Sequence, residues 1–87
     1  MGTFRFMAPE CFNLAHNKEI HGKRVDIWAA GITLFLLLTK EYPFVGQTLS
    51  DIRDSITGSD PPLHKIDNKD VRELLGRILE KDPAKRL

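Results

Sequence analysis

The 87 residues carry 13 Lys plus Arg against 12 Asp plus Glu, a formal net charge of +1. This length allows at most one domain and excludes a complete (β/α)8 barrel, which takes about 250 residues. The balanced charge creates no field that would attract nucleic acid or an acidic membrane surface, so we expect neither partner. One cysteine excludes an internal disulfide and no leader is visible after Met1, so we expect a reducing, intracellular location, cytoplasmic or nuclear.

The first predicted elements are a short helix and a long apolar one. Pro9 is expected to open a helix that runs through Phe12, and residues 13–23 are expected to form a loop. Residues 27–38 (IWAAGITLFLLL) are apolar on every side, which is typical of a buried central helix. At about 18 Å this helix is too short for the roughly 30 Å hydrocarbon core of a membrane. Asp26, directly before the run, is expected to cap it.

A second helix is predicted after the apolar run. Thr48, with Asp51 three residues later, is typical of a helix N-terminus, and Gly58 is expected to end the helix. Residues 40–47 and 58–66 are predicted to be loops.

A third helix is predicted in the C-terminal quarter. Asp67 or Asn68 can cap it, and Asp82-Pro83 is expected to end it, because the residue before a proline avoids the helical region. Apolar residues recur there at helical spacing: Val71, Leu74, Leu75, Ile78 and Leu79. The charges that follow are interpreted as a solvated helix end: Lys81, Asp82, Lys85 and Arg86. Since no segment alternates as a strand does, the predicted class is all-α.

The central helix poses a packing problem. A helix that is apolar all round needs neighbours all round. Only about three short helices are predicted here, which is too few to surround it. Part of its surface is therefore expected to contact protein outside this chain, as in a part of a larger body.

A family resemblance rests on motifs in a fixed order. Ala8-Pro9-Glu10 resembles the A-P-E motif that ends the activation segment of protein kinases. The landmarks that follow also resemble that family: Asp26-Ile27-Trp28-Ala29-Ala30-Gly31, Tyr42-Pro43-Phe44, Ile56-Thr57-Gly58, Leu74-Leu75 and Asp82-Pro83-Ala84-Lys85-Arg86-Leu87. Over residues 1–87 this implies an all-α, partial kinase C-terminal lobe. Its helices, which the family names EF, F, G and H, would pack around the central helix F.

The sequence before the A-P-E motif resembles Ser/Thr kinases, nearest to the calcium/calmodulin-dependent kinases and their upstream kinase kinases. The resemblance implies that residues 2–7 line the P+1 pocket, which takes the substrate residue after the phosphoacceptor. These residues are Gly2, Thr3, Phe4, Arg5, Phe6 and Met7. The Thr3 hydroxyl would hydrogen-bond the catalytic aspartate, and Phe4 departs from the proline often found at that position.

A second group of residues is implied to be architectural: Ala8, Pro9, Glu10, Asp26, Trp28, Gly31 and Arg86. Glu10 and Arg86 would form a buried ion pair, because the planar guanidinium can bind a carboxylate with two parallel bonds. The alternative is two solvated charges, since Arg86 is the penultimate residue. The Asp26 carboxylate would anchor the backbone of the kinase catalytic loop, and Trp28 and Gly31 are interpreted as packing residues.

The residues that would carry phosphoryl transfer are not in this sequence. It has no Gly-rich loop, strand lysine, H-R-D or D-F-G motif. We therefore expect no catalytic, cofactor-binding or metal-binding residue in the chain, which alone would be inactive. ATP and Mg²⁺ would bind the rest of the kinase. Cys11 and the histidines at 16, 21 and 64 match no zinc spacing and are interpreted as a core thiol and surface imidazoles.

The resemblance implies two partners, a protein substrate and the remainder of a kinase domain. Two other functions stay open: a non-catalytic protein-binding module and a pseudokinase remnant with a structural role. Both would use the helix G surface, residues 42–58, to dock a partner protein. An upstream reading frame that encodes H-R-D and D-F-G would favour the kinase.

Overall fold

The computed structural model describes residues 5–12 and 22–87. Within these residues the chain forms α-helices and 3₁₀ helices, and no strand. The elements in chain order are a 3₁₀ helix at Pro9–Phe12, α1 at Gly22–Thr39, α2 at Leu49–Gly58, a 3₁₀ helix at Leu63–Lys65 and α3 at Lys69–Ile78. The predicted all-α class is confirmed, and the predicted loop 58–66 contains the second 3₁₀ helix.

The start of α1 was predicted wrongly. The helix begins at Gly22, so Lys23 belongs to it and not to a loop. Asp26 consequently lies about one turn inside the helix, where it is exposed and cannot cap the N-terminus. Lys and Arg are good helix formers, so continuing the helix through Lys23 and Arg24 costs little. The rest of the predicted loop, residues 13–21, lies outside the described residues.

Only one side of α1 is buried. Trp28, Ile32 and Phe35 are fully inaccessible to solvent, whereas Leu37 and Leu38 are 63% and 51% exposed. The described residues therefore cover one face of an apolar helix and leave another open, as the small number of helices led us to expect.

The two shorter helices begin at side-chain caps. The Thr48 hydroxyl accepts a hydrogen bond from the backbone N–H of Asp51 at 3.1 Å, and α2 ends at Gly58, both as predicted. At α3, the sequence allowed either Asp67 or Asn68 as the cap, and the structure shows that it is Asn68. Its Oδ1 accepts from the N–H groups of Asp70 and Val71 at 2.9 and 3.1 Å.

The end of α3 was also predicted wrongly, since the helix stops at Ile78, before Asp82-Pro83. Asp82 instead begins a separate turn, in which its Oδ1 accepts from the N–H of Ala84 at 3.0 Å. Between helix and turn, the carbonyls of Glu80 and Lys81 accept hydrogen bonds from the Arg86 side chain. A tertiary contact therefore replaces the last helical turn.

The core is assembled from the three α-helices and from single residues of the segments beside them. Its fully or nearly buried apolar residues are Ala8, Trp28, Ile32, Phe35, Phe44, Ile52, Ile56, Ile66, Leu75 and Leu79. Among the described helices, none has the length and apolarity needed to cross a membrane.

Candidate functional site

The C-terminal turn is joined to the first 3₁₀ helix by a buried ion pair. Arg86 Nη1 donates to Glu10 Oε2 at 2.7 Å, and Nη2 donates to Oε1 at 2.9 Å. The two residues are only 7% (Glu10) and 5% (Arg86) exposed. The alternative of two solvated charges is therefore wrong, and the contact has the bidentate geometry that a guanidinium and a carboxylate favour.

Backbone carbonyls satisfy the rest of the Arg86 guanidinium. Nε donates to the carbonyl of Glu80 at 2.8 Å and Nη1 to that of Arg24 at 3.0 Å. A weaker contact runs from Nη2 to the carbonyl of Lys81 at 3.4 Å. The chain end is held as well, because the N–H of Leu87 donates to the carbonyl of Arg77 on α3 at 3.2 Å. A penultimate residue is thus fixed on several sides.

The ion pair sets the charge state of Glu10. Burial alone acts to raise the pKa of the Glu10 carboxyl, but the hydrogen bonds from Arg86 and its positive charge outweigh burial. The pKa therefore lies below its ordinary value, and the carboxylate stays ionised at neutral pH.

Four side chains form a stack beside this pair. The Cζ of Arg86 lies 4.9 Å from the centroid of the Trp28 ring, and Trp28 stacks on Phe44 at 5.7 Å with an interplanar angle of 11°. Lys81 Nζ lies 4.8 Å from the centroid of Phe44. Each of the two stacked rings therefore has its own cation within the distance at which a positive charge is attracted to an aromatic ring.

Lys81 also closes the end of α2. Its Nζ donates to the carbonyl of Ile56 at 2.7 Å, one of the carbonyls that a helix leaves unpaired at its C-terminus. Burial lowers the pKa of the Lys81 ammonium. The interpretation of residues 81–86 as a solvated helix end is therefore wrong for Lys81 and for Arg86.

Gly31 allows α1 and α3 to approach closely. A Cβ added at Gly31 would lie 2.3 Å from Ile78 Cγ2 and 3.1 Å from Leu79 Cδ2. Trp28, one turn earlier, is fully buried, and its indole Nε1 has no hydrogen-bond acceptor within the described chain. The structure thus places both residues in packing contacts.

The described part of the predicted P+1 segment rests on Tyr42. Arg5 places its Cζ 4.7 Å from the centroid of the Tyr42 ring, and Phe6 meets the same ring edge to face at 5.8 Å. Met7 is half-buried. The first residues of the segment, Gly2, Thr3 and Phe4, lie outside the described residues.

The remaining candidates take no part in this arrangement. Asp26 is exposed on α1, and Cys11 is a half-buried free thiol whose pKa is raised by burial and by the nearby Glu10 charge. His64 is exposed, and the two other histidines lie outside the described residues. Across residues 5–12 and 22–87, no three metal-ligating side chains are grouped.

Sequence reasoning missed the roles of Tyr42 and Lys81. Tyr42 was noted as part of the Tyr42-Pro43-Phe44 loop and as the first residue of the helix G surface. An aromatic residue directly before a Pro-Phe pair is the signal that could have drawn attention to its contact with residues 5 and 6. For Lys81 the sequence offers no such signal, because both of its partners are distant in the chain.

Comparison with known proteins places these features in a family. A family model described as "Protein kinase domain" matches residues 1–87. The serine/threonine-protein kinase ppk34 of Schizosaccharomyces pombe is 44% identical over 86 residues, which cover 99% of this chain and 24% of that protein. The serine/threonine-protein kinase par-4 of Caenorhabditis briggsae is 36% identical over 84 residues (93% and 13%). The serine/threonine-protein kinase GRIK2 of Arabidopsis thaliana is 36% identical over 86 residues (99% and 21%). The chain thus spans about a quarter or less of the length of these relatives.

Proposed function

Because the chain belongs to the protein kinase domain family, we propose that it is part of the C-terminal lobe of a serine/threonine protein kinase. The whole enzyme would transfer the γ-phosphoryl group of ATP to a Ser or Thr hydroxyl of a protein. ATP and Mg²⁺ would bind outside these 87 residues, so that the chain supplies structure and substrate contacts and is inactive alone. The sequence of residues 2–10 favours a kinase similar to the calcium/calmodulin-dependent kinases and their upstream kinase kinases.

The observation that carries this proposal is the buried bidentate pair of Glu10 and Arg86. It fixes the Ala8-Pro9-Glu10 segment to the helical core from the C-terminal side. The residues just before it are held at a defined place, because Arg5 and Phe6 rest on Tyr42. A segment fixed in this way suits the lining of a substrate pocket, in which Thr3 would face the catalytic aspartate.

The open face of α1 supports the remainder of a kinase domain as a partner. Leu37 and Leu38 are more than half exposed at the end of this helix. Large apolar side chains of this kind favour a covered position. In the proposed assembly, preceding parts of the kinase domain cover them, and the Asp26 carboxylate reaches the catalytic loop.

Phosphate transfer by the full natural-length protein tests the proposal. We expect it to move the γ-phosphoryl of ATP onto Ser or Thr peptides and to lose most of this activity in Glu10→Gln. The purified 87-residue chain should show no thermal shift with millimolar ATP. No phosphorylation of any peptide by the full-length protein, or a clear ATP-induced shift of the 87-residue chain, would contradict the proposal.

One observation favours the second candidate, a non-catalytic docking module. Val45 and Leu49, at the start of the helix G surface, are 61% and 46% exposed. Apolar side chains at such a place suit contact with a partner protein. This function predicts that the full-length protein neither binds ATP nor phosphorylates peptides. It also predicts that a Val45→Asp, Leu49→Asp double variant loses partner binding.

A further inference from the structure

Arg5 has its charge uncompensated within the described chain. Its guanidinium lies over the Tyr42 ring at 4.7 Å from the centroid. The residue is half-buried, and with residues 5–12 and 22–87 it forms neither an ion pair nor a hydrogen bond. Its N–H donors, which lie in the plane of the guanidinium, are therefore open to a ligand.

The Tyr42 ring, against which Arg5 lies, is itself packed against neighbouring residues. Tyr42 is half-buried and directly precedes Pro43 and Phe44, both of which are buried. Phe6 packs edge to face against the same ring. Stacking on an aromatic face reduces the rotational freedom of an arginine side chain, so less is lost when its N–H donors bind a ligand.

The chemistry of the open donors selects an anion. A stacked guanidinium binds planar carboxylates and phosphates through two parallel N–H bonds. Glu41 directly precedes Tyr42 in the sequence, but its carboxylate forms an ion pair with Lys65. Across residues 5–12 and 22–87 no carboxylate pairs with Arg5, and we infer that the acidic group of this site comes from another molecule.

We propose that Arg5, held against Tyr42, binds an acidic side chain of the protein substrate on the C-terminal side of the phosphoacceptor. This inference rests on the proposed function of residues 2–7 as the P+1 segment. Arg5 is then a specificity-determining residue, and Tyr42 is the positioning residue that orients it. The substrate class is proteins with Glu or Asp shortly after the phosphorylated Ser or Thr.

Matched peptides test this directly with the full natural-length protein. Three peptides carry Glu, Gln or Lys at the three positions after one Ser. Both kcat/KM for phosphorylation and Kd from fluorescence anisotropy are measured. We expect the Glu peptide to be favoured over the Gln peptide about threefold to tenfold, through KM and not kcat, which is the range for a half-exposed charged contact.

Variants separate the two roles. Arg5→Glu should reverse the preference towards the Lys peptide. Tyr42→Phe keeps the ring and should keep the preference, whereas Tyr42→Leu should reduce it at least about threefold. Arg77→Glu, the same charge reversal at an exposed position on α3, is the control and should leave the preference unchanged.

Each outcome decides one of the two ideas. If no peptide is phosphorylated, the proposed function fails, and the anisotropy measurement still decides the role of Arg5. Preference for the Glu peptide that depends on Arg5 supports the inference. Equal binding of the three peptides, or a preference that Arg5→Glu leaves intact, overturns it.

Discussion

Removing the negative charge of Glu10 should destabilise the fold more than most single substitutions do. Glu10→Gln preserves the shape of the side chain and leaves an amide oxygen as one acceptor for Arg86. The guanidinium, which is 5% exposed, then stays buried without its counter-charge. Removing one partner of a buried ion pair costs about 3–5 kcal/mol of stability, because the other charge stays buried without compensation.

The contacts that remain place the expected loss at the lower end of this range. Three backbone carbonyls still accept hydrogen bonds from Arg86, and the face of Trp28 still attracts its charge. We therefore expect a loss of about 3 kcal/mol in the free energy of unfolding, a change of more than about 100-fold in the equilibrium constant.

Urea unfolding of the 87-residue chain, followed by its tryptophan fluorescence, measures this loss of stability. Trp28 is the single tryptophan, is fully buried and stacks against Arg86, so its emission reports on this site. Sucrose in the buffer keeps a marginal variant folded enough for a midpoint to be measured. The double variant Glu10→Gln, Arg86→Met removes both charges and should recover at least half of the loss, since no buried charge remains.

Two results would refute this reasoning. One is a Glu10→Gln variant within about 0.5 kcal/mol of the wild type, the range of an ordinary surface substitution. The other is a double variant that is no more stable than the single one, because the penalty then has a source other than an uncompensated charge.

Three further predictions use the same unfolding assay. Gly31→Ala should cost about 1–2 kcal/mol of stability, because overpacking outweighs the gain in helix propensity. Gly58→Ala, where no atom lies within 4 Å of the added Cβ, should be neutral or slightly stabilising, and equal effects of the two variants would contradict the close approach of α1 and α3 at Gly31. Because the pKa of Glu10 is lowered in the folded state, its contribution to stability is present above the ordinary pKa of a glutamate carboxyl and is lost as pH falls through the lower folded pKa. Glu10→Gln should lack this part of the acid sensitivity, and identical acid unfolding profiles of variant and wild type would contradict the prediction. Lys81→Met should cost about 1 kcal/mol through its lost hydrogen bond and ring contact, whereas Lys85→Met, at an exposed position, should change stability by less than about 0.5 kcal/mol; similar values for both would show that Lys81 is only a surface lysine.

Sequence reasoning succeeded where the controlling interaction is local. The caps at Thr48 and Asn68 bond to N–H groups two or three residues away. Such contacts depend on residue type and spacing, both of which a sequence displays. The helical type of α1 and of α3 followed from their apolar patterns for the same reason.

Sequence reasoning failed where a distant contact decided the outcome. The C-terminal end of α3 depends on Arg86, whose guanidinium takes the carbonyls of Glu80 and Lys81 as acceptors. The place of Lys81 depends on Ile56, which is 25 residues away in the chain, and on the Phe44 ring. A run of alternating charges is typical of solvated surface, and nothing local distinguishes the two members that are drawn inwards.

The apolar composition of α1 shows that all its faces favour burial, but not which face the other described helices cover. That choice is made at Gly31, where the missing side chain lets α3 come within contact of the helix backbone. The docking of α3 there helps cover the face that carries Trp28, Ile32 and Phe35, and leaves Leu37 and Leu38 open. Enlarging residue 31 would therefore weaken the covered face without closing the open one. An intact kinase lobe that covers Leu37 and Leu38 would stabilise α1 independently of Gly31.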